Sequence, residues 1–183
     1  MYKIVVEQIA ELIKDNRSIL RLAIRQRAKF EGWLKFELAA RLDKLGLENV
    51  EVETKIDFKR SRPDISFQTK DFDFYKIELK TCNTSWKIDG IETKGKPISG
   101  NIKSIIKDTK KLNSNYGIVA FVMFPIPLND TRWKEYIERI KKETEVEINY
   151  TSNCKLLKMK FNEKKYCNIL ICSYMSKIYN NCF

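Results

Sequence analysis

Pro63-Asp64 and Glu78-Leu79-Lys80 are the residues of this chain whose types and spacing suit chemistry. They lie on two strand-like segments, 62–69 (RPDISFQT) and 72–81 (FDFYKIELKT), rich in β-branched and aromatic residues and parted by Lys70-Asp71. A chain folding back about Asp71 sets Asp64 opposite Glu78. Side chains alternate along a strand, so Glu78 and Lys80 share a face, and directly opposed Cβ atoms stand about 5 Å apart. Asp64, Glu78 and Lys80 are therefore expected in one cluster, backed on the other face by Ile65, Phe67, Tyr75, Ile77 and Leu79. Two bare carboxylates this close raise each other's pKa unless a cation lies between them. Mg²⁺, with Mn²⁺ as a substitute, takes one or two carboxylates and completes its shell with water and phosphate. A metal so placed polarises a phosphate and lowers the pKa of a bound water. An ammonium such as Lys80 orients that water or neutralises developing charge. The implied chemistry is metal-dependent phosphodiester hydrolysis. The competing reading is an exposed sheet face with a cross-strand ion pair and a Pro-Asp turn opening.

The chain contains no histidine, which excludes a His-dependent nuclease mechanism, a His-ligated zinc site and any Ser-His or Cys-His pair. Glu31 is the next candidate. Residues 30–45 (FEGWLKFELAARLDKL) have helical periodicity: at about 100° per residue Leu34, Leu38, Leu42 and Leu45 form one stripe, with Glu31 at its N-terminal end. A carboxylate on a core-facing stripe needs compensation, by a metal or by Lys80, unless it marks the exposed end of the stripe. Glu37 lies on the flank and is the weaker alternative. A strand follows at 50–58 (VEVETKIDF) and carries Glu53, then comes the hairpin. An amphipathic helix at 99–112 places Ile102, Ile105 and Ile106 on one face and Lys103, Lys107 and Lys110 on another. Residues 116–124 (YGIVAFVMF) are too continuously apolar for an edge strand and read as a buried central one, parallel to its neighbour.

Through Pro63-Asp64, Glu78-Leu79-Lys80 and the glutamate-bearing helix before them, residues 27–126 resemble the PD-(D/E)XK nuclease superfamily, the restriction-endonuclease-like fold. The resemblance implies an α/β (α+β) core of helix, three strands, helix and strand, with a mixed central sheet flanked by helices. It implies Asp64 and Glu78 as Mg²⁺ ligands, Lys80 as the catalytic lysine and Glu31 as an auxiliary ligand. The implied function is a Mg²⁺-dependent DNA endonuclease of restriction or defence type, with structure-selective or exonucleolytic cleavage as variants of the same chemistry. Double-strand cleavage would call for a two-fold homodimer; the sequence names no interface.

Charge agrees with a nucleic-acid partner, duplex DNA foremost. Lys and Arg number 35 against 24 Asp and Glu, a formal net charge of +11, and a basic surface gains affinity for phosphate chains by counterion release. Arg17, Arg21 and Arg25 recur every fourth residue, one stripe on a helix, with Arg27 and Lys29 nearby. Lys87, Lys94, Lys96, Lys103, Lys107, Lys110 and Lys111 follow the candidate site. Both sets suit a duplex backbone; lysine-rich faces are also often simply solvated. Trp86, in the Gly-containing loop 82–99, either stacks on a base or anchors the loop to the core. No phosphate-binding loop motif is present, so ATP use is not supported.

A length of 183 residues suits a single domain, with a helical extension over 1–26 and extra strands at the C-terminal end. Residues 3–14 read as an amphipathic helix, too short and interrupted for a signal peptide or a membrane span. Asp15-Asn16 offer a cap for the next helix. Residues 131–143 read as a basic amphipathic helix, and 145–150, 154–161 and 166–174 as strands, the last two paired through Asn162-Glu163-Lys164. Cys82, Cys154, Cys167, Cys172 and Cys182 form no C-x-x-C pair and are odd in number, as free thiols in a reducing cytoplasm are. Cys82 lacks a base that would make it a nucleophile. Two further classes stay open: a non-catalytic nucleic-acid-binding module of the same fold, and a protein-interaction domain with a coincidental motif.

Overall fold

One strand, Gly117–Ile126, is buried at every residue, and the other elements are laid out around it. The computed structural model describes residues 1–55, 62–92, 97–112 and 116–177. The order is α1 (Tyr2–Asp15), α2 (Arg17–Gln26), α3 (Glu31–Lys44), β1 (Glu48–Val52), β2 (Ile65–Gln68), β3 (Phe74–Asn83), α4 (Ser99–Leu112), β4 (Gly117–Ile126), α5 (Trp133–Thr144), β5 (Cys154–Asn162) and β6 (Lys165–Met175). The strands form one six-stranded mixed sheet, β1-β2-β3-β4-β6-β5. β3 and β4 are parallel, and all other neighbours are antiparallel. The chain is thus α+β, with an open sheet between two helical layers.

The absence of polar residues from β4 follows from its two partners. Ile118, Ala120, Val122 and Phe124 face the core under α1, α2 and α3, while Val119, Phe121 and Met123 face the core under α4 and α5. A strand covered on both faces reads as a continuous apolar run.

The hairpin has the register expected from the sequence. Ile65 opposes Ile77, Ser66 Lys76, Phe67 Tyr75 and Gln68 Phe74, and the ladder ends one residue short of Asp64 and Glu78. The connection is longer than the two residues expected: 69–73 lie between the strands, and Phe72 takes a left-handed φ of 63°. Register survives because slipping by one residue would turn Ile65, Phe67 and Ile77 out of the core.

Several expectations are corrected. Leu45 is 54% exposed, because α3 ends at Lys44 before the stripe completes another turn. β1 stops at Val52, where Glu53 turns to a φ of 55°; residues 56–58 of the expected strand lie outside the described residues. Residues 145–150 form no strand. Val146 and Ile148 are buried in alternation as expected, but Asn153 Oδ1 accepts from Asn149 N and Asn149 Oδ1 accepts from Thr151 N, folding the segment into a turn. Asn16 does not cap α2 with its side chain; Nδ2 donates to Leu12 O and closes α1 instead. No helix among the described residues is long and apolar enough to cross a membrane.

Arg27 departs most from its sequence reading. It is buried, ends α2 with a φ of 50° and points away from the exposed arginine stripe. Its guanidinium donates to Glu92 O at 2.9 Å, to Trp86 O at 2.7 Å and to Thr84 O. One side chain thereby ties down the loop that follows β3. Trp86 takes the anchoring role: its ring is buried, with Tyr136 stacked at 6.1 Å and Arg132 over it at 4.4 Å. Arg27→Ala strips three carbonyls of their donor and is expected to cost on the order of 3 kcal/mol in urea unfolding. Arg27→Lys should recover little of that, because an ammonium cannot reproduce the planar fork.

Candidate active site

β3 outruns β2. Its ladder with β4 continues to Asn83, whereas its ladder with β2 ends at Ile77. Beyond that point the N–H groups on the β2 side have no strand to donate to, and buried backbone donors require acceptors. Two carboxylates fill the gap. Leu79 N–H donates to Asp64 Oδ2 at 2.8 Å, and Thr81 N–H donates to Glu31 Oε2 at 2.9 Å. Asp64 gets there because β2 starts one residue later; Glu31 gets there because it opens α3.

Lysines hold the free sides of these carboxylates. Lys35, one turn after Glu31, is buried, with Nζ 2.7 Å from Asp64 Oδ1 and 2.5 Å from Glu53 Oε1. Lys80 Nζ lies 3.7 Å from Glu31 Oε1 and 3.5 Å from Asp108 Oδ2, and donates to Leu79 O at 3.3 Å. Glu78 faces α4 with a side chain 9% exposed; its cation is Lys111, at 3.7 Å. Among the described residues, five carboxylates (Glu31, Glu53, Asp64, Glu78, Asp108) thus meet three ammonium groups (Lys35, Lys80, Lys111), a formal deficit of two positive charges.

Glu78 bears that deficit. Burial, and then the Asp64 and Asp108 carboxylates, push its pKa from an ordinary 4.5 up to about 7. Burial works against the charge on Lys80, but Glu31, Asp64, Asp108 and Glu78 outweigh it and hold its pKa above the ordinary value. Lys35 is raised likewise, burial being outweighed by its bonds to Asp64 and Glu53. Lys80 therefore acts as a fixed positive charge and not as a base.

The structure brings together Asp64, Glu78, Lys80 and Glu31. Glu37 is exposed on the flank of α3. Glu53, on sequence grounds either an acidic neighbour of the site or a plain solvent-face residue, stays exposed yet reaches Lys35. Three participants were not assigned to the site from sequence: Lys35, Asp108 and Lys111. Lys35 had a signal, since it lies four residues after Glu31 on the same helical face; Asp108 is the one acid in the lysine-rich α4. Lys87, Lys103 and Lys107 are exposed, as are Arg17, Arg21 and Arg25 on α2; Lys94 and Lys96 lie outside the described residues. Burial pushes the Cys82 thiol up to about 12, which removes it as a nucleophile.

Asp64 and Glu78 are the residues that could hold a hard divalent cation. Both supply oxygen, no histidine is present, and Asp108 Oδ2 is buried with the Lys80 ammonium 3.5 Å away and no hydrogen bond among the described residues. Those residues hold no ready-made cage of three Asp, Glu, Cys or His side chains. Mg²⁺ does not require one, because it keeps several of its waters. Protein-family models, curated proteins and solved structures gave no match to this chain.

The Glu78 shift makes a prediction with a definite sign. The folded protein holds this proton up to about pH 7, whereas an unfolded glutamate releases it near 4.5. The native state binds more protons in that window, so stability falls as pH rises from about 4.5 to about 7 and is then level. Glu78→Gln removes the term. In EDTA its stability relative to wild type should rise between pH 5 and pH 8 in urea titrations; a difference independent of pH would mean that Glu78 ionises normally.

Proposed function

We propose that this chain is a Mg²⁺-dependent DNA endonuclease of the PD-(D/E)XK type, with Asp64 and Glu78 as the metal-holding carboxylates and Lys80 as the catalytic lysine. The observation that carries the reading is the uncompensated negative charge around Glu78, a deficit of two that one divalent cation balances. The order helix, three strands, helix, strand over α3 to β4, with Asp64 just before β2 and Glu78 within the adjacent β3, supports it.

The roles follow from the geometry. Asp64 and Glu78 would hold a divalent ion, whose chemistry there would be Lewis-acid polarisation of the phosphate and a lowered pKa of a bound water. Lys80 stays protonated, so it neutralises charge developing on a non-bridging phosphate oxygen and orients the attacking water. Glu31 and Asp108 hold the Lys80 ammonium from two sides. Leu79 N–H and Lys35 fix the plane of Asp64, and Glu31, held by Thr81 N–H and Lys80, is the candidate auxiliary ligand.

One observation favours a second reading. Lys35 Nζ sits 2.7 Å from Asp64 Oδ1, so Asp64 is already neutralised by the protein. A lysine that permanently replaces the cation would make the chain a nucleic-acid-binding module without catalysis.

Supercoiled plasmid separates the two, and a closed circle also distinguishes endonucleolytic from exonucleolytic action. Mg²⁺- or Mn²⁺-dependent nicking, stopped by EDTA and reduced about 10²- to 10³-fold in Lys80→Ala, is the expected outcome. Equal nicking by the variant would place the activity elsewhere. No cleavage of duplex, single-stranded or branched DNA with either metal would favour the binding module.

A further inference from the structure

On other elements than those of the candidate active site, α2 and the edge strand β5 enclose a cationic groove. Two adjoining hollows of about 330 Å³ each share Arg21 and Lys160. Their walls carry Lys14, Arg17, Arg21, Arg25, Lys158 and Lys160, against Glu163 as the single acid among the lining residues. None of the six cations pairs with a carboxylate among the described residues, whereas Lys155, earlier on the same strand, is matched to Glu7 at 2.6 Å. Arg17 and Arg21 each donate Nε to a backbone carbonyl, of Lys14 and of Lys160, at 3.2 Å. Each bond fixes a guanidinium plane and leaves its terminal amino groups without an acceptor among the described residues. Unpaired like charges gathered in one groove repel, and an anion spanning them relieves that repulsion.

We propose that this groove is a second nucleic-acid contact, a track for the sugar-phosphate backbone of duplex DNA separate from the candidate active site; the proposal rests on the reading of the chain as a protein that acts on DNA. Successive arginines on α2 are about 6 Å apart along the helix axis, so the three span about 12 Å. Over that length one strand of a duplex presents three or four phosphates, at about 3.4 Å of axis each. Arginine matches phosphate with a planar fork. A single strand would instead require open stacking platforms beside the charge. Of the two aromatics lining this groove, Phe161 is buried and Tyr166 already carries Lys158 Nζ over its ring at 4.8 Å. β5 stands three strand spacings from β3, about 14 Å across the sheet. A duplex therefore meets the groove and the candidate active site with different segments, and the groove favours substrates long enough to reach both.

The test compares wild type, the combined variant Arg17→Gln, Arg21→Gln, Arg25→Gln, and a charge-matched control, Lys44→Gln, Lys70→Gln, Lys142→Gln. Binding to a 24-bp duplex is followed by fluorescence anisotropy in EDTA across a salt series, with plasmid nicking in Mg²⁺ measured in parallel. The arginine variant should bind about tenfold more weakly at low salt, with the slope of log K against log salt shallower by about 2.7, or about 0.9 per lost phosphate contact. The control should keep the wild-type slope. An unchanged slope in the arginine variant, or an equal loss in the control, overturns the groove. So does tighter binding of single-stranded DNA or of polyglutamate to the same arginines. Nicking reads out separately: its absence alongside a lost slope removes the nuclease reading and leaves the groove, whereas nicking with an unchanged slope does the reverse.

Discussion

The structure depends on an unfilled edge. β3 continues past the end of β2 while remaining paired to β4, so the Leu79 and Thr81 N–H groups are buried without a strand partner. Carboxylates of Asp64 and Glu31 take the place of the missing strand. Each is thereby fixed in position by backbone, which is more rigid than any side-chain partner, and each brings an element with it: Asp64 the entry to β2, Glu31 the start of α3. The gap in the sheet is what concentrates acid beside Glu78, and the buried Lys35 and half-buried Lys80 follow from the need to offset that acid.

Offsetting is incomplete, and the shortfall has chemical content. Lys35 and Lys80 are each shared between two carboxylates, while Glu78 is left with a single cation at 3.7 Å. A buried carboxylate in that position either keeps its proton or acquires a cation. Its pKa of about 7 places the choice between proton and metal near neutral pH. Lys35 on Asp64 is the opposing force: a metal must compete with an ammonium already in place. Which of them holds Asp64 separates the enzyme from the binding module.

Much of this was legible in the sequence, for identifiable reasons. The alternation of Ile65, Phe67, Ile77 and Leu79 fixed the register that sets Asp64 against Glu78, and the uninterrupted apolar run of β4 announced a strand covered on both faces. Glu31 stood out because it falls on a leucine stripe, at its N-terminal end. Lys35 lies on the same face but passed as an ordinary surface lysine, because lysines are seldom buried unless paired and its partners Glu53 and Asp64 are remote in sequence. Arg27 was misread by the same logic in reverse: proximity to an exposed arginine stripe said nothing of the loop carbonyls that draw it inward. The strand expected at 145–150 failed because asparagine side chains outcompeted a ladder that the periodicity of Val146 and Ile148 favoured. The sequence also suggested a family core, of which the structure supports the coarser part, a mixed six-stranded α+β sheet.

Anomalous diffraction from crystals grown at neutral pH with Mn²⁺ tests the metal site most directly. The arrangement predicts one strong anomalous peak within bonding distance of Asp64 and Glu78, with the Lys35 ammonium drawn off Asp64 towards Glu53. A map with no peak there at millimolar Mn²⁺, and Lys35 still seated on Asp64, would contradict it.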